Sequence, residues 1–188
     1  MDIRVETTPL RDLLVLHHQV AEDERGFFME VFKADVFAQA GLPEAYPQAN
    51  LSRSARGVLR GLHFQWDPPQ AKLMRVARGE AFLMAVDIRK GSPTLGQWYG
   101  RRVSDKDPVQ VFAPAGFARG FCALSESADI QYFVTGLWNP KGESGIRWND
   151  PALGIAWPVA QPSLSKKDAE AQTLAEWLAR PESDRFRY

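Results

Sequence analysis

Through the middle of the chain, apolar residues come in short runs with a two-residue alternation, separated by turn-forming pieces. Strands are expected at Leu13–His17, Leu59–Gln65, Met74–Val76, Ala81–Ile88, Gln97–Val103, Gln110–Ala113, Gly120–Leu124 and Ile130–Leu137. Turns are expected at Asp67-Pro68-Pro69, Lys90-Gly91-Ser92-Pro93 and Pro114-Ala115-Gly116. So many short strands at this spacing predict an all-β, jelly-roll β-sandwich or barrel. Helical periodicity is confined to the ends of the chain. A short helix over Lys33–Ala40 is stopped by Gly41 and Pro43, and a second is expected over Lys166–Ala179, with Ala171, Leu174, Trp177 and Leu178 on one face. With no repeat and no dividing linker, residues 1–188 are expected to form one domain.

The same alternation assigns side chains to faces. In Gly61–Gln65, His63 and Gln65 share one face with Gly61, while Leu62 and Phe64 share the other with Arg60. The polar face is expected to line a cavity and the apolar face to pack. Regular alternation points Arg60 away from His63, unless Gly61 introduces a bulge. Further along, Tyr132 and Trp138 fall on one face of the Ile130–Trp138 segment and can enter one pocket.

Composition narrows the function classes. The 188 residues are 45% hydrophobic, with 11 Phe and 6 Trp, enough for a sizeable core. The 23 cationic and 23 anionic residues cancel, which removes a global electrostatic reason to bind nucleic acid or an anionic membrane. An anionic ligand must therefore be held locally. The single Cys122 has no disulfide partner in the chain, and the start MDIRVETTPL is charged, with an apolar run of only four residues from Leu13 to Leu16. A cytoplasmic location is expected.

Three histidines, two of them the adjacent pair His17 and His18, make a poor metal set, because neighbours on a strand face opposite ways. No metal is expected, and no phosphate-loop or dinucleotide fingerprint is present. Histidine is the side-chain type able to gain or lose a proton near neutral pH, and His63 lies close in sequence to Arg60 and Lys72, so it is either a base beside an anion site or a hydrogen-bonded structural histidine. Tyr132 is open to an ordinary core role. Asp168, three residues after Ser165, is open to a helix-capping role.

Several longer segments carry more. DERGFFMEVF (Asp23–Phe32), QANLSRSARGVLRGLHFQ (Gln48–Gln65), KLMRVARGEAFLMAVDIRKGSPTLGQW (Lys72–Trp98), APAGFARGF (Ala113–Phe121), GIRWNDPALGIAWP (Gly145–Pro158) and LSKKD (Leu164–Asp168) resemble, in order, the dTDP-4-dehydrorhamnose 3,5-epimerase family of the cupin superfamily. The resemblance implies a cupin-type jelly roll and a dTDP-4-keto-6-deoxyhexose substrate. It also implies a place in dTDP-rhamnose supply for lipopolysaccharide and O-antigen, and no cofactor. The hydrogens on C3 and C5 flank the C4 carbonyl, so a base on one face and an acid on the other invert each carbon through an enolate.

By that resemblance His63 is the base, Asp168 its orienting carboxylate, Tyr132 the acid, and Lys72 the cation at the C4 oxygen. Arg25, Glu30, Gln48, Asn50 and Arg60 match positions that hold thymidine or diphosphate, and Glu143 and Lys167 match further ligand contacts. Phe27, or its neighbour Phe28, is expected against the thymine ring. The resemblance further implies a homodimer with exchanged N-terminal strands.

Two positions depart from the family pattern. Arg119 stands in GFARGF where histidine is usual, a fixed cation suited to diphosphate, and Trp138 replaces a tyrosine expected beside the sugar. Three outcomes are therefore open: double inversion at C3 and C5, inversion at one carbon only, or a non-catalytic cupin that binds nucleotide sugars.

Overall fold

The computed structural model describes residues 2–188. The strands are β1 (Ile3–Thr7), β2 (Leu14–His18), β3 (Ala21–Asp23), β4 (Gly26–Phe28), β5 (Gln48–Ala55), β6 (Leu59–Gln65), β7 (Lys72–Arg78), β8 (Glu80–Asp87), β9 (Trp98–Ser104), β10 (Val109–Ala113), β11 (Phe117–Ala123), β12 (Ser127–Val134) and β13 (Glu143–Gly145). They form a six-stranded sheet in the order β1-β2-β10-β7-β12-β5 and a five-stranded sheet in the order β13-β6-β11-β8-β9. The β3–β4 hairpin pairs only with itself. Every pairing between named strands is antiparallel, as the expected jelly roll requires.

Three apolar clusters follow from the alternation. Leu13, Val15, Val76, Leu83, Val111, Phe121 and Ile130 fill the space between the sheets. Leu62 and Phe64 face the other way, into a cluster with Ile146, Trp177 and Phe186, and Phe64 and Trp177 stack with ring centroids 4.5 Å apart. Burying a side chain of that size contributes about 2–3 kcal/mol, so this stack fixes the C-terminal segment against the back of β6. The outer face of the six-stranded sheet packs on α1 (Ala34–Gln39) through Leu16, Leu73 and Phe37.

The expected helix over Lys166–Ala179 is instead two short ones, α2 (Lys166–Ala169) and α3 (Leu174–Leu178). Between them the backbone pairs with the chain beyond β13: Gln172 bridges Ile146, and Arg147 N–H donates to Gln172 O at 2.7 Å. Each helix has its own cap, Ser165 for α2 and a Thr173/Glu176 capping box for α3. The apolar stripe is nevertheless real, since Leu174 and Trp177 are buried.

Five strands fall outside the sequence expectation: β1, β3, β4, β5 and β13. In β5 the alternation is inverted. Gln48, Asn50 and Ser52 face a cavity while Leu51 is exposed, so the strand carries no inward apolar face to reveal it. The strand expected over Ile130–Leu137 begins earlier and ends at Val134, leaving Leu137 and Trp138 in the irregular segment that follows.

Candidate active site

The cavity between the sheets is reached from both of them. One part, about 140 Å³, is lined by Ser52, Arg60, His63, Lys72, Met74, Arg119, Gly120, Phe121 and Tyr132. An adjoining part, about 290 Å³, shares Lys72 and Tyr132 and adds Gln48, Asn50, Gln70, Val134, Trp138 and Glu143. His63 comes from β6 in the five-stranded sheet, while Lys72 and Tyr132 come from β7 and β12 in the six-stranded sheet.

A bulge brings Arg60 onto His63's side. On β11, Arg119 pairs with His63 and Phe121 with Arg60, so two steps on one strand span three on the other. Gly61, at φ +142°, sits where a Cβ would lie 2.6 Å from Gly120 Cα, and a Cβ on Gly120 would lie 2.7 Å from Arg60 O. The irregular register thus depends on two glycines in contact. Arg60 then rests with Nε on Ser54 Oγ at 3.0 Å.

His63 Nε2 lies 2.5 Å from Asp168 Oδ1; the histidine side chain is 26% exposed and the carboxylate only 4%. Asp168 also fills its capping position, donating its N–H to Ser165 Oγ at 3.1 Å. The two roles coexist because the cap uses the backbone and His63 uses the side chain. Burial alone would raise the Asp168 carboxyl, but hydrogen bonding and charge from His63, with help from Ser165 and Lys167, hold it below the usual range.

Across the cavity, Lys72 Nζ lies 5.6 Å from the Tyr132 ring centroid. Burial first, then the Arg119 charge, lowers the Lys72 ammonium from 10.5 to about 7, against an opposing pull from Glu143. Burial raises the Tyr132 phenol, which keeps it protonated at neutral pH. Glu143 accepts from Lys167 Nζ at 2.8 Å and Trp138 Nε1 at 3.2 Å. Although burial would raise its carboxyl, these donors hold it low. Trp138 N–H donates to Gln48 Oε1 at 2.8 Å, and Gln48 Nε2 donates to Asn50 Oδ1 at 3.0 Å, so this wall is tied together.

Arg119 is in the cavity wall, yet its terminal nitrogens donate to carbonyl oxygens of Gln70 and Ala113. Three expected ligand residues are not brought to the cavity within one chain. Arg25 and Phe27 lie on the β3–β4 hairpin, where Arg25 pairs with Asp23 and Phe27 is 60% exposed, and Glu30 follows that hairpin beside His18. Sequence reasoning missed Ser52, Gln70, Met74 and Phe121 as lining residues; for Ser52 the available signal was the alternating polar set of β5. Gln65, expected to line the cavity with His63, is instead buried and ties together Pro68, Leu137 and Asn139. Among the described residues no group of three or more His, Cys, Asp or Glu side chains is placed to hold a metal ion, and no helix is long and apolar enough to cross a membrane.

The fold has close counterparts. A dTDP-6-deoxy-D-glucose-3,5-epimerase from Legionella pneumophila, solved in complex with dTDP-4-keto-L-rhamnose, superposes with a TM-score of 0.93 at 42% identity, covering 99% of this chain and 98% of that one. The protein is therefore a cupin-like jelly roll of the isomerase class, an epimerase. More narrowly, the chain belongs to the dTDP-4-dehydrorhamnose 3,5-epimerase family, whose model matches residues 7–176. A Pseudomonas aeruginosa enzyme of that name is 48% identical over 167 residues, 88% of this chain and 92% of its own length. A dTDP-4-dehydrorhamnose 3-epimerase from Streptomyces niveus is 45% identical over 156 residues, 82% of this chain and 75% of its own.

Proposed function

We propose that the chain inverts C3 and C5 of dTDP-4-dehydro-6-deoxy-D-glucose, giving dTDP-4-dehydro-L-rhamnose. The observation that carries this reading is that His63 and Tyr132 project into one cavity from opposite sheets. A sugar ring lying between them meets a base on one face and an acid on the other.

With Nε2 engaged by Asp168, Nδ1 of His63 is left to take the proton from C3 or C5. Asp168 stabilises the imidazolium that results, the role a buried carboxylate has in hydrolase triads. The C–H electron pair moves into the ring and the C4 carbonyl pair onto oxygen, where the Lys72 ammonium meets the developing charge. Tyr132 then gives its phenolic proton to the same carbon from the opposite face, the enolate collapses, and solvent exchange restores both groups. Arg60, Gln48 and Asn50 hold the nucleotide end, and Glu143 and Lys167 make further ligand contacts. In a homodimer, the exposed β3–β4 hairpin carries Arg25 and Phe27, and Glu30 beyond it, to the partner's cavity.

One observation favours a second reading, inversion at C3 alone. Trp138 is held in the cavity wall by Gln48 and Glu143, adding bulk where the ring must turn between the two inversions, and a relative 45% identical bears the name of a 3-epimerase. NMR of dTDP-4-keto-6-deoxyglucose incubated with the enzyme in D2O separates the two. Deuterium and inversion at both carbons are expected; label at C3 alone establishes the second reading, and no label at either carbon refutes both.

A further inference from the structure

We propose that Arg119 is a positioning residue that ties the two sheets together across the cavity and supplies a fixed charge beside Lys72. The Lys72 part of this inference rests on the function proposed above.

Arg119 lies on β11, directly opposite His63 in the register. Its guanidinium crosses to the other sheet. Nη1 donates to Ala113 O at 3.1 Å, Gln70 O at 3.2 Å and Pro114 O at 3.5 Å, and Nη2 donates to Gln70 O at 3.1 Å. These acceptors bracket Lys72: Ala113 is its cross-strand partner on β10, and Gln70 precedes it by two residues. One side chain therefore links the strand paired with the base to the start of the strand bearing the amine.

The terminal nitrogens are spent on the backbone. Arg119 is 3% exposed, and both its terminal nitrogens are committed to backbone oxygens that would otherwise lack these donors. Nε is left without a protein partner, so the tie between the sheets is made by the two terminal nitrogens. Burial lowers the guanidinium to about 9, which leaves it charged at neutral pH.

The charge matters because of what it faces. Lys72 is surrounded by Arg119 from β11, Lys167 from α2, Glu143 from β13, Tyr132 from β12 and His63 from β6. After burial, Arg119 is the largest influence lowering its ammonium. Removing that charge makes Lys72 hold its proton to higher pH, so a reaction needing the ammonium extends further into alkali.

The test compares wild type with Arg119→Gln, which removes the charge, and Arg119→Lys, which keeps the charge but loses the fork. Steady-state kinetics against pH and calorimetric binding of dTDP are read on each. Both variants are expected to lose about 10- to 100-fold in kcat, the scale of a small misplacement of reacting groups, with dTDP affinity held within about threefold. The alkaline limb of kcat/KM is expected to move to higher pH in Arg119→Gln and to stay in place in Arg119→Lys. A tenfold or larger loss of dTDP affinity with kcat unchanged would overturn the proposal in favour of a diphosphate ligand, and an unmoved limb in Arg119→Gln would overturn the charge role. Should Arg119→Gln not fold, Arg119→Lys decides: a loss of about tenfold or more in kcat with the alkaline limb in place is expected, and an unchanged kcat overturns the proposal. Failure of the functional reading is separately visible, as absence of solvent-deuterium exchange in the wild type.

Discussion

Replacing Lys72 by methionine should make the protein more stable and nearly inactive. An ammonium whose value falls from 10.5 to about 7 on folding is disfavoured by about 5 kcal/mol if that whole difference is realised. Lys72 is only partly buried and lines the cavity, so the net gain from an apolar side chain of similar length is about 1–3 kcal/mol. Because the unfolded chain binds the extra proton between about pH 7 and pH 10.5, wild-type stability attributable to this group rises with pH through that window. The advantage of Lys72→Met is therefore largest below about pH 7 and fades towards pH 10.5. Urea unfolding at pH 6 and pH 9 reads it directly, as a midpoint raised by about 0.5–1 M at pH 6 and by less at pH 9. A lowered midpoint at pH 6, or the same gain at both pH values, would refute the reasoning. Loss of the enolate's cation should meanwhile slow turnover about 100- to 1000-fold.

Asp168→Asn should keep the fold and dTDP affinity while slowing substrate exchange by about 100- to 10,000-fold, as expected when a buried carboxylate no longer orients a base; exchange within threefold of wild type would remove that role. Tyr132→Phe should retain solvent exchange by returning the proton to the face it left, while losing inversion; NMR showing inverted product at the wild-type rate would eliminate Tyr132 as the acid. Gly120→Ala should destabilise by about 1–3 kcal/mol, because the added methyl meets Arg60 O at 2.7 Å. An unchanged urea midpoint would mean that the close approach of Gly61 and Gly120 is not needed.

The parts of the fold legible in the sequence were those whose buried face is apolar. β6, β8 and β10 were found nearly to their ends, since Leu62 and Phe64, or Leu83 and Ala85, recur at every second position. β5 was not, because its inward face lines the cavity and is built from Gln48, Asn50 and Ser52. The C-terminal helix was overextended for a related reason. Leu174 and Trp177 carry a true helical period, but the pairing of Gln172 with Ile146 that interrupts the helix is a long-range contact with no local signature.

The site was legible in kind and less so in geometry. Alternation placed His63 on the polar face of β6, yet Arg60 joins it only through the bulge at Gly61, an alternative the glycine itself raised. The His63–Asp168 pair spans 105 residues, so family resemblance, not spacing, brought the two together in the sequence reading. Arg119 announces its charge in the sequence, but its partners are backbone oxygens of Gln70 and Ala113, which any residues would provide. The expectation of a diphosphate contact followed from the charge; the carbonyl partners became visible only in three dimensions.

The central claim is that proton removal belongs to His63, and its most direct test is solvent-deuterium incorporation by His63→Ala with dTDP-4-keto-6-deoxyglucose, followed by NMR. Exchange is expected to disappear at every carbon the wild type labels, while dTDP still binds with affinity within about threefold. Exchange at the wild-type rate in that variant would contradict the claim.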